Sequence, residues 1–74
     1  MEATLPLLDA KIDEMIKNQE RSSKRIESVL DTLLDYVGMG LGEEQFKRLN
    51  AYYGSFCAEL SAEYDRYYDE IVQQ

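Results

Sequence analysis

Two pairs of carboxylates in this sequence are spaced so that they could share a proton or a metal ion. Asp31 with Asp35, and Glu59 with Glu63, stand four residues apart, which places each pair on one face of a helix. Adjacent carboxylates can hold a proton between them or bind a hard cation through oxygen. Carboxylate metal sites in helical bundles also use histidine, and the chain has none. We therefore interpret both pairs as solvated surface acids.

Other catalytic and ligand-binding chemistry lacks the residue types that it needs. Serine nucleophiles of the triad type require an imidazole base, and no histidine is present. Cys57 is the only cysteine, so no disulfide is expected within the chain and a zinc site is not expected. A lone cysteine also indicates a reducing, cytoplasmic location. We expect no enzyme activity, no cofactor and no metal site.

The elements that must position any site follow a helical pattern on each side of a glycine-rich break. Apolar residues recur at spacings of three and four, which predicts one helix over about 4–37 and a second over about 43–72, joined by a turn at 38–42. Gly38 is expected to be the left-handed residue that ends the first helix, and Gly42 the N-cap of the second. The predicted fold is an all-α single domain, 1–74, built as an antiparallel hairpin of two long amphipathic helices.

Two positions in this pattern leave alternatives open. Gln19, Ser22 and Ser23 interrupt the first apolar stripe, but they lie in phase with the apolar residues on either side, so one continuous helix is expected, with a local kink as the alternative. At about 1.5 Å per residue, a helix from Leu5 to Val37 would be about 50 Å long. Gly54 interrupts the second stripe, where a bend is expected and a true break is the alternative.

The apolar stripes are too broad for two helices to enclose. We expect either a homodimer that forms a four-helix bundle or a hairpin whose apolar face docks on a protein partner. Tyr52 and Tyr68 stand on the edges of the stripe, where tyrosine is favoured at protein interfaces. The predicted core or self-association seam consists of Leu8, Ile12, Met15, Ile26, Val29, Leu33, Phe46, Leu49, Tyr53, Phe56, Leu60, Tyr64 and Tyr67.

The charge of the chain limits its partners. The formal net charge is −7, which argues against direct binding to nucleic acid or to an anionic membrane and favours a basic protein. No stretch reaches the length of a membrane span, and no signal peptide is recognised at the start. The expected partner is therefore a protein, with no direct nucleic-acid or membrane binding.

The acids of the first predicted helix fall on one line. On a helical wheel, Glu2, Asp9, Asp13, Glu20, Glu27 and Asp31 lie within about 40° of one another, and Asp35 extends the line toward the turn. Their steps of about 6 and 10 Å along the helix are on the scale of phosphate spacing in a nucleic-acid strand. The candidate partner-binding acids are Asp9, Asp13, Glu20, Glu27, Asp31, Asp35, Glu59, Glu63, Asp69 and Glu70.

In size, charge and helical build, the chain resembles the small acidic anti-CRISPR inhibitor proteins of phages and mobile elements. The resemblance implies a DNA mimic, an inhibitor that occupies the basic channel of a nuclease or another nucleic-acid-binding protein, and it assigns no individual residue a role. One alternative is a structural adaptor whose apolar seam binds a partner helix or a second copy while the acids supply only solubility. Another is an antitoxin-like regulator. The acids could also form only a solvated face, since Asp13 with Lys17 and Glu20 with Lys24 make favourable pairs.

Overall fold

A computed structural model describes residues 4–73, which form four α-helices. They are α1 (Thr4–Lys17), α2 (Ser23–Gly38), α3 (Glu43–Gly54) and α4 (Ala58–Val72). The predicted all-α fold is confirmed. The predicted hairpin of two long helices is wrong, because a turn divides each predicted helix into two.

The first additional turn arises because Gln19 adopts the left-handed conformation, with φ of 56°. The Glu20 amide donates to the Met15 carbonyl at 2.9 Å, and the Gln19 amide donates to the Ile16 carbonyl at 3.1 Å. These two bonds are the Schellman pattern that ends a helix. Glycine usually occupies this position, so the sequence carried no clear stop signal.

Ser22 then starts α2. Its backbone is extended, and its side-chain oxygen accepts a hydrogen bond from the Arg25 amide at 3.4 Å, as an N-cap does. The polar residues interpreted as an interruption in one helix therefore form a helix end followed by a helix start. The longest dimension of the molecule is 32 Å, which a straight helix of about 50 Å would exceed.

The glycine-rich turn separates α2 from α3 as predicted, but a different glycine is left-handed. Gly38 is the last residue of α2, whereas Gly40 has a φ of 83°. The Leu41 amide donates to the Tyr36 carbonyl at 2.8 Å and completes the helix end. Gly42 is the N-cap of α3, as predicted.

Gly54 marks a true break, which was the alternative to a bend. A Cβ atom at Gly54 would lie 2.9 Å from the Ser61 hydroxyl oxygen, so glycine allows α3 and α4 to approach closely at this corner. Asn50 Nδ2 donates to the Ser61 carbonyl at 3.1 Å, and the Ser61 hydroxyl donates to the Asn50 carbonyl at 2.9 Å. These reciprocal bonds hold the two helices together.

The helices α2 and α4 lie side by side and run in the same direction. Tyr64 of α4 is bonded to Asp31 of α2, and Ile71 lies against Gly38, seven residues further along both helices. The helix α3 packs against α1, α2 and α4, so it occupies the centre of the fold. Consequently the C-terminal ends of α2 and α4 are at the same end of the molecule.

Side chains from all four helices form the apolar core within residues 4–73. Its buried members are Ile12, Met15, Ile26, Val29, Leu30, Leu33, Val37, Phe46, Leu49, Tyr53, Tyr64 and Tyr68. The predicted seam residues Leu8, Phe56 and Leu60 are partly buried against this core. The packing that led us to expect a dimer is therefore largely satisfied inside one chain, and dimerisation stays a prediction.

Two tyrosines of α4 exchange their expected places. Tyr67, expected in the core, is 43% exposed, whereas Tyr68, expected on the edge, is 9% exposed. The reason is the break after Gly54. Because α4 is a separate helix, the spacing of apolar residues in α3 does not predict which side of α4 faces the core. None of the helices within residues 4–73 combines the length and the apolar character that crossing a bilayer requires.

Candidate functional site

A cleft of about 690 Å³ lies beside the glycine-rich turn, between the first half of α1 and the second half of α2. It is open because α1 packs mainly on α3 and makes little contact with α2. Its volume falls within the range of ligand-binding clefts. The lining residues are Leu5, Pro6, Asp9, Thr32, Asp35, Tyr36, Met39, Leu41 and Gln45.

Gly42 lies next to two residues that line the cleft, Tyr36 and Leu5. A Cβ atom at Gly42 would lie 3.2 Å from the Tyr36 Cβ and 3.6 Å from the Leu5 Cδ1. The residue is also left-handed, with φ of 75°. A Cβ here would crowd Tyr36 on the α2 wall and would meet Leu5 at an ordinary contact distance, so glycine suits this position mainly through its backbone conformation and through the space beside Tyr36.

Large apolar side chains at the cleft are exposed to solvent. Met39 is 67% exposed and Leu41 is 47% exposed, and both belong to the turn itself. Leu41 also borders a hollow of about 360 Å³ that includes Ile71 and Val72 at the end of α4. The apolar surface therefore continues around the turn from α1 to α4. An apolar surface of this kind, rimmed by polar residues, is typical of a protein-binding site.

The same end of the molecule concentrates negative charge. The last turns of α2 and α4 contain no basic residue, and they carry Asp35, Asp69 and Glu70. Each of these carboxylates lies near the negative end of a helix dipole, which costs about 0.3–1 kcal/mol. Fold stability therefore does not explain them. We call the cleft residues together with Asp69 and Glu70 the glycine-turn end.

The predicted line of acids on one helix does not exist in this fold. Asp9 and Asp13 lie on α1, Glu20 lies in the turn after it, and Glu27, Asp31 and Asp35 lie on α2. Because the turn at 18–22 reverses the chain, the acids of α1 and those of α2 do not follow a single helix axis. Glu2 lies outside the described residues.

Arg48 of α3 is paired with the acids of α1. Its Nη2 contacts the Asp9 carboxylate and lies 3.2 Å from Asp13 Oδ1. In the turn, Glu20 pairs with Arg25 at 3.4 Å. One arginine faces two aspartates, so the α1 pair keeps a net negative charge while it also holds α1 on α3.

Tyrosine hydroxyls donate hydrogen bonds to three further carboxylates, which we did not predict from the residue pattern. Each bond joins two helices, so these acids contribute to the fold. The pairs are Tyr53 with Glu27 at 2.7 Å, Tyr64 with Asp31 at 2.8 Å, and Tyr68 with Glu43. Counting outward from Gly40 in the predicted hairpin places Tyr53 opposite Glu27. No such signal existed for the other two bonds, because Tyr64 would fall near Ile16 and Tyr68 lies on the same predicted helix as Glu43.

Because of these hydrogen bonds, we expect the fold to lose stability at alkaline pH. Burial, with a further contribution from Glu27, raises the pKa of Tyr53 to about 12, and the hydrogen bond to Glu43 is the largest cause that raises the pKa of Tyr68 to about 12. A phenol with a raised folded-state pKa stabilises the fold fully below the unfolded value of about 10. That stabilisation is lost as the pH rises from about 10 to about 12.

We therefore expect the free energy of unfolding, measured with urea and circular dichroism, to fall between these pH values. Tyrosinate absorbance should rise over the same interval. In Tyr53→Phe the stability should be lower at neutral pH but should fall less steeply above pH 10, because one titrating group is gone. A native chain whose stability is unchanged up to pH 12 would contradict this account.

Four of the carboxylates on the surface of α4 join no other side chain. Glu59, Glu63, Asp69 and Glu70 have no hydrogen-bond or ion-pair partner within residues 4–73, whereas Asp65 accepts a bond from Asn50 at 2.8 Å. Nor does this range contain a group of acids and cysteine arranged to hold a metal ion. Cys57 is half-buried against the core. Asp35 of α2 likewise has no hydrogen-bond or ion-pair partner within the described range, and Glu59, in the first turn of α4, favours the dipole of that helix.

No protein-family model, no curated protein and no solved structure matches the chain. The function is therefore inferred from the surfaces described above. Of the candidate acids, the fold brings Asp9 and Asp35 to opposite walls of one cleft, and it brings Asp69 and Glu70 to the same end of the molecule. Residue spacing did not predict the cleft. The signal that could have found it is the pair Met39 and Leu41, which are large and apolar but lie in a glycine turn.

Proposed function

We propose that this chain is a small acidic protein-binding module that recognises a basic protein through its glycine-turn end. The observation that supports the proposal most directly is the shared position of the C-terminal ends of α2 and α4. Three carboxylates lie in these two last turns, where they do not stabilise the helices. Exposed Met39 and Leu41 lie beside them.

The two features suit different parts of a binding process. Carboxylates at the rim of an interface accelerate encounter with a basic partner and select against acidic ones. Exposed apolar side chains contribute affinity once they are buried in the complex. With a net charge of −7, the chain would repel nucleic acid, so the partner we propose is a protein.

An inhibitor that imitates nucleic acid is the second candidate function, and α4 supports it better than the predicted line on α1 and α2. Glu59, Glu63 and Glu70 follow one another at steps of four and seven residues, about 6 and 10 Å along the helix. They have no partner in the part of the chain that the structure describes. An antitoxin-like regulator would use the same acidic surfaces.

The burial of the apolar seam counts against the adaptor hypothesis. Ile12, Ile26 and Leu33 are each 0% exposed inside one chain. A partner helix could reach them only after the core had opened. We therefore favour binding through the surface residues over binding through the seam.

The test compares two variants that each remove two carboxylates. The first is Asp35→Asn/Asp69→Asn at the glycine-turn end, and the second is Glu59→Gln/Glu63→Gln on the surface of α4. Each immobilised variant is used to capture proteins from a lysate of the source organism, and the retained proteins are identified by mass spectrometry. We expect a basic protein that the native chain retains, that increasing salt releases, and that the first variant loses.

The second variant separates the two candidate functions. If the second variant alone loses the partner, and nucleic acid competes for it, the α4 surface imitates nucleic acid and the glycine-turn end is not the binding site. If both variants retain every protein that the native chain retains, neither acidic surface binds a partner. Circular dichroism of each variant confirms that the fold is intact.

A further inference from the structure

We propose that the cleft between α1 and α2 binds an amphipathic helix of the basic partner, with apolar side chains seated in the cleft and lysine or arginine on both sides of them. This inference rests on the proposed function and deepens it, because it specifies which chemistry of the partner is recognised. It follows from the lining of the cleft, from its charge and from the secondary structure around it.

The lining of the cleft requires an apolar occupant. Leu5, Pro6 and Tyr36 form parts of its walls, and Met39 and Leu41 extend from the turn at its edge. The last two are 67% and 47% exposed, so an occupant would remove much apolar surface from water. A fully polar segment would gain nothing from these contacts and would lose its hydration.

The charge around the cleft requires basic groups beside the apolar ones. Asp9 and Asp35 stand on the α1 wall and the α2 wall, and no lysine or arginine lines the cleft within residues 4–73. Arg48 is bound to Asp9 and Asp13 from the side of α3, so the group keeps an excess of negative charge. Cationic residues on both sides of an apolar anchor would meet both carboxylates.

A second copy of this chain does not fit the cleft as well. Four of its eight lysines and arginines cluster around the turn between α1 and α2, at Lys17, Arg21, Lys24 and Arg25, and the others are Lys11, Lys47, Arg48 and Arg66. Among residues 4–73, the exposed large apolar side chains are Leu7, Met39, Leu41, Tyr67 and Val72, and none of them lies in that basic cluster. Exposed Leu7 has Lys11 one turn further along α1, and exposed Tyr67 is next to Arg66, but each is a single apolar residue with one basic neighbour. Within the described residues, the chain therefore presents no row of apolar anchors with basic groups on both sides.

The form of the occupant follows from the walls. The described residues form helices, so they offer no strand edge to which an extended peptide could add. A groove between two helices accepts the apolar face of a third helix, with anchors at spacings of three and four residues. We therefore expect a helix rather than an extended segment.

The test uses three synthetic helical peptides and isotope-labelled protein. The first peptide carries leucines on one face with lysines beside them, the second replaces the lysines with glutamates, and the third replaces the leucines with serines. We expect only the first to bind saturably, with chemical-shift changes at Leu5, Tyr36, Met39, Leu41 and Gln45. Equal binding by the third peptide, or changes confined to α4, would overturn the proposal.

Matched variants locate the interaction. Met39→Ser/Leu41→Ser should weaken binding of the first peptide at least tenfold, whereas Leu7→Ser, which also removes an exposed leucine but outside the cleft, should leave it unchanged. Asp35→Asn should weaken binding several-fold, and Glu59→Gln should not.

No saturable binding by the native chain, or equal binding by Met39→Ser/Leu41→Ser, would contradict the proposal. Self-association that Met39→Ser/Leu41→Ser abolishes would instead place a second copy in the cleft.

The captured partner distinguishes this inference from the function on which it rests. If Asp35→Asn/Asp69→Asn loses the partner but Met39→Ser/Leu41→Ser retains it, the acidic end binds the partner without using the cleft. The proposed function then stands and the helix-in-cleft inference fails. If both variants retain the partner, both proposals fail.

Discussion

Replacement of Asn50 by aspartate should destabilise the folded chain by about 3 kcal/mol or more at neutral pH, although the two side chains have nearly the same shape. Asn50 is 2% exposed, and its Nδ2 donates to the Ser61 carbonyl at 3.1 Å and to the Asp65 carboxylate at 2.8 Å. A carboxylate cannot donate either bond, and it would add a buried negative charge next to Asp65. Urea unfolding followed by circular dichroism measures the loss.

The loss should become smaller as the pH falls. Burial beside Asp65 would raise the folded-state pKa of the introduced carboxyl above its unfolded value of about 3.9, so the protonated form would be favoured in the folded chain. The stabilisation that comes from protonating this carboxyl is fully present below its unfolded-state pKa. It is lost as the pH rises through its folded-state pKa. Asn50→Asp should therefore approach the native stability on acidification.

A double variant tests whether the contact itself is responsible. In Asn50→Asp/Asp65→Asn the amide at position 65 can donate to the carboxylate at position 50, so part of the stability should return. If Asn50→Asp were as stable as the native chain at neutral pH, the corner between α3 and α4 would not depend on the amide of Asn50.

Truncation of Phe46 to alanine should cost about 3–5 kcal/mol. Phe46 is 0% exposed, and its ring stacks on that of Tyr68 with the centroids 5.2 Å apart. The truncation leaves a cavity between α3 and α4 and removes the stacking partner of Tyr68, whose hydroxyl binds Glu43. Because a single core of this size rarely supplies more than about 3–5 kcal/mol, we expect a largely unfolded variant.

Leu7 provides the matched control for this truncation. It is 70% exposed, so Leu7→Ala should change the free energy of unfolding by less than about 0.5 kcal/mol. Thermal unfolding of both variants gives the comparison. A Phe46→Ala chain with the native midpoint would show that the core is not organised around this ring.

Local patterns in the sequence predicted much of the fold. The spacing of apolar residues identified the helical segments, and the glycines at 38–42 identified the central turn, because periodicity and backbone freedom depend on neighbouring residues only. Most of the predicted seam is buried; Ile12, Leu33 and Leu49 are 0% exposed. The break at Gln19 was missed, because a non-glycine residue in the left-handed conformation carries no distinct local signal.

The functional surface was harder to predict than the fold. The acids were visible in the sequence, but which of them bind other residues depends on long-range contacts. Glu27 and Asp31 accept bonds from tyrosines 26 and 33 residues away, and Arg48 reaches Asp9 from 39 residues away. The line predicted on one helix failed because its members proved to belong to two.

By itself, the sequence determined a helical, acidic chain with a glycine turn near its middle, since these properties follow from composition and short-range spacing. Only the tertiary structure decided that α2 and α4 end together, and that α1 stands away from α2 to leave a cleft with Met39 and Leu41 at its edge. The physical reason is that the arrangement of helices depends on how side chains distant in the chain pack around α3. Close contacts at Gly42 and Gly54 permit that packing.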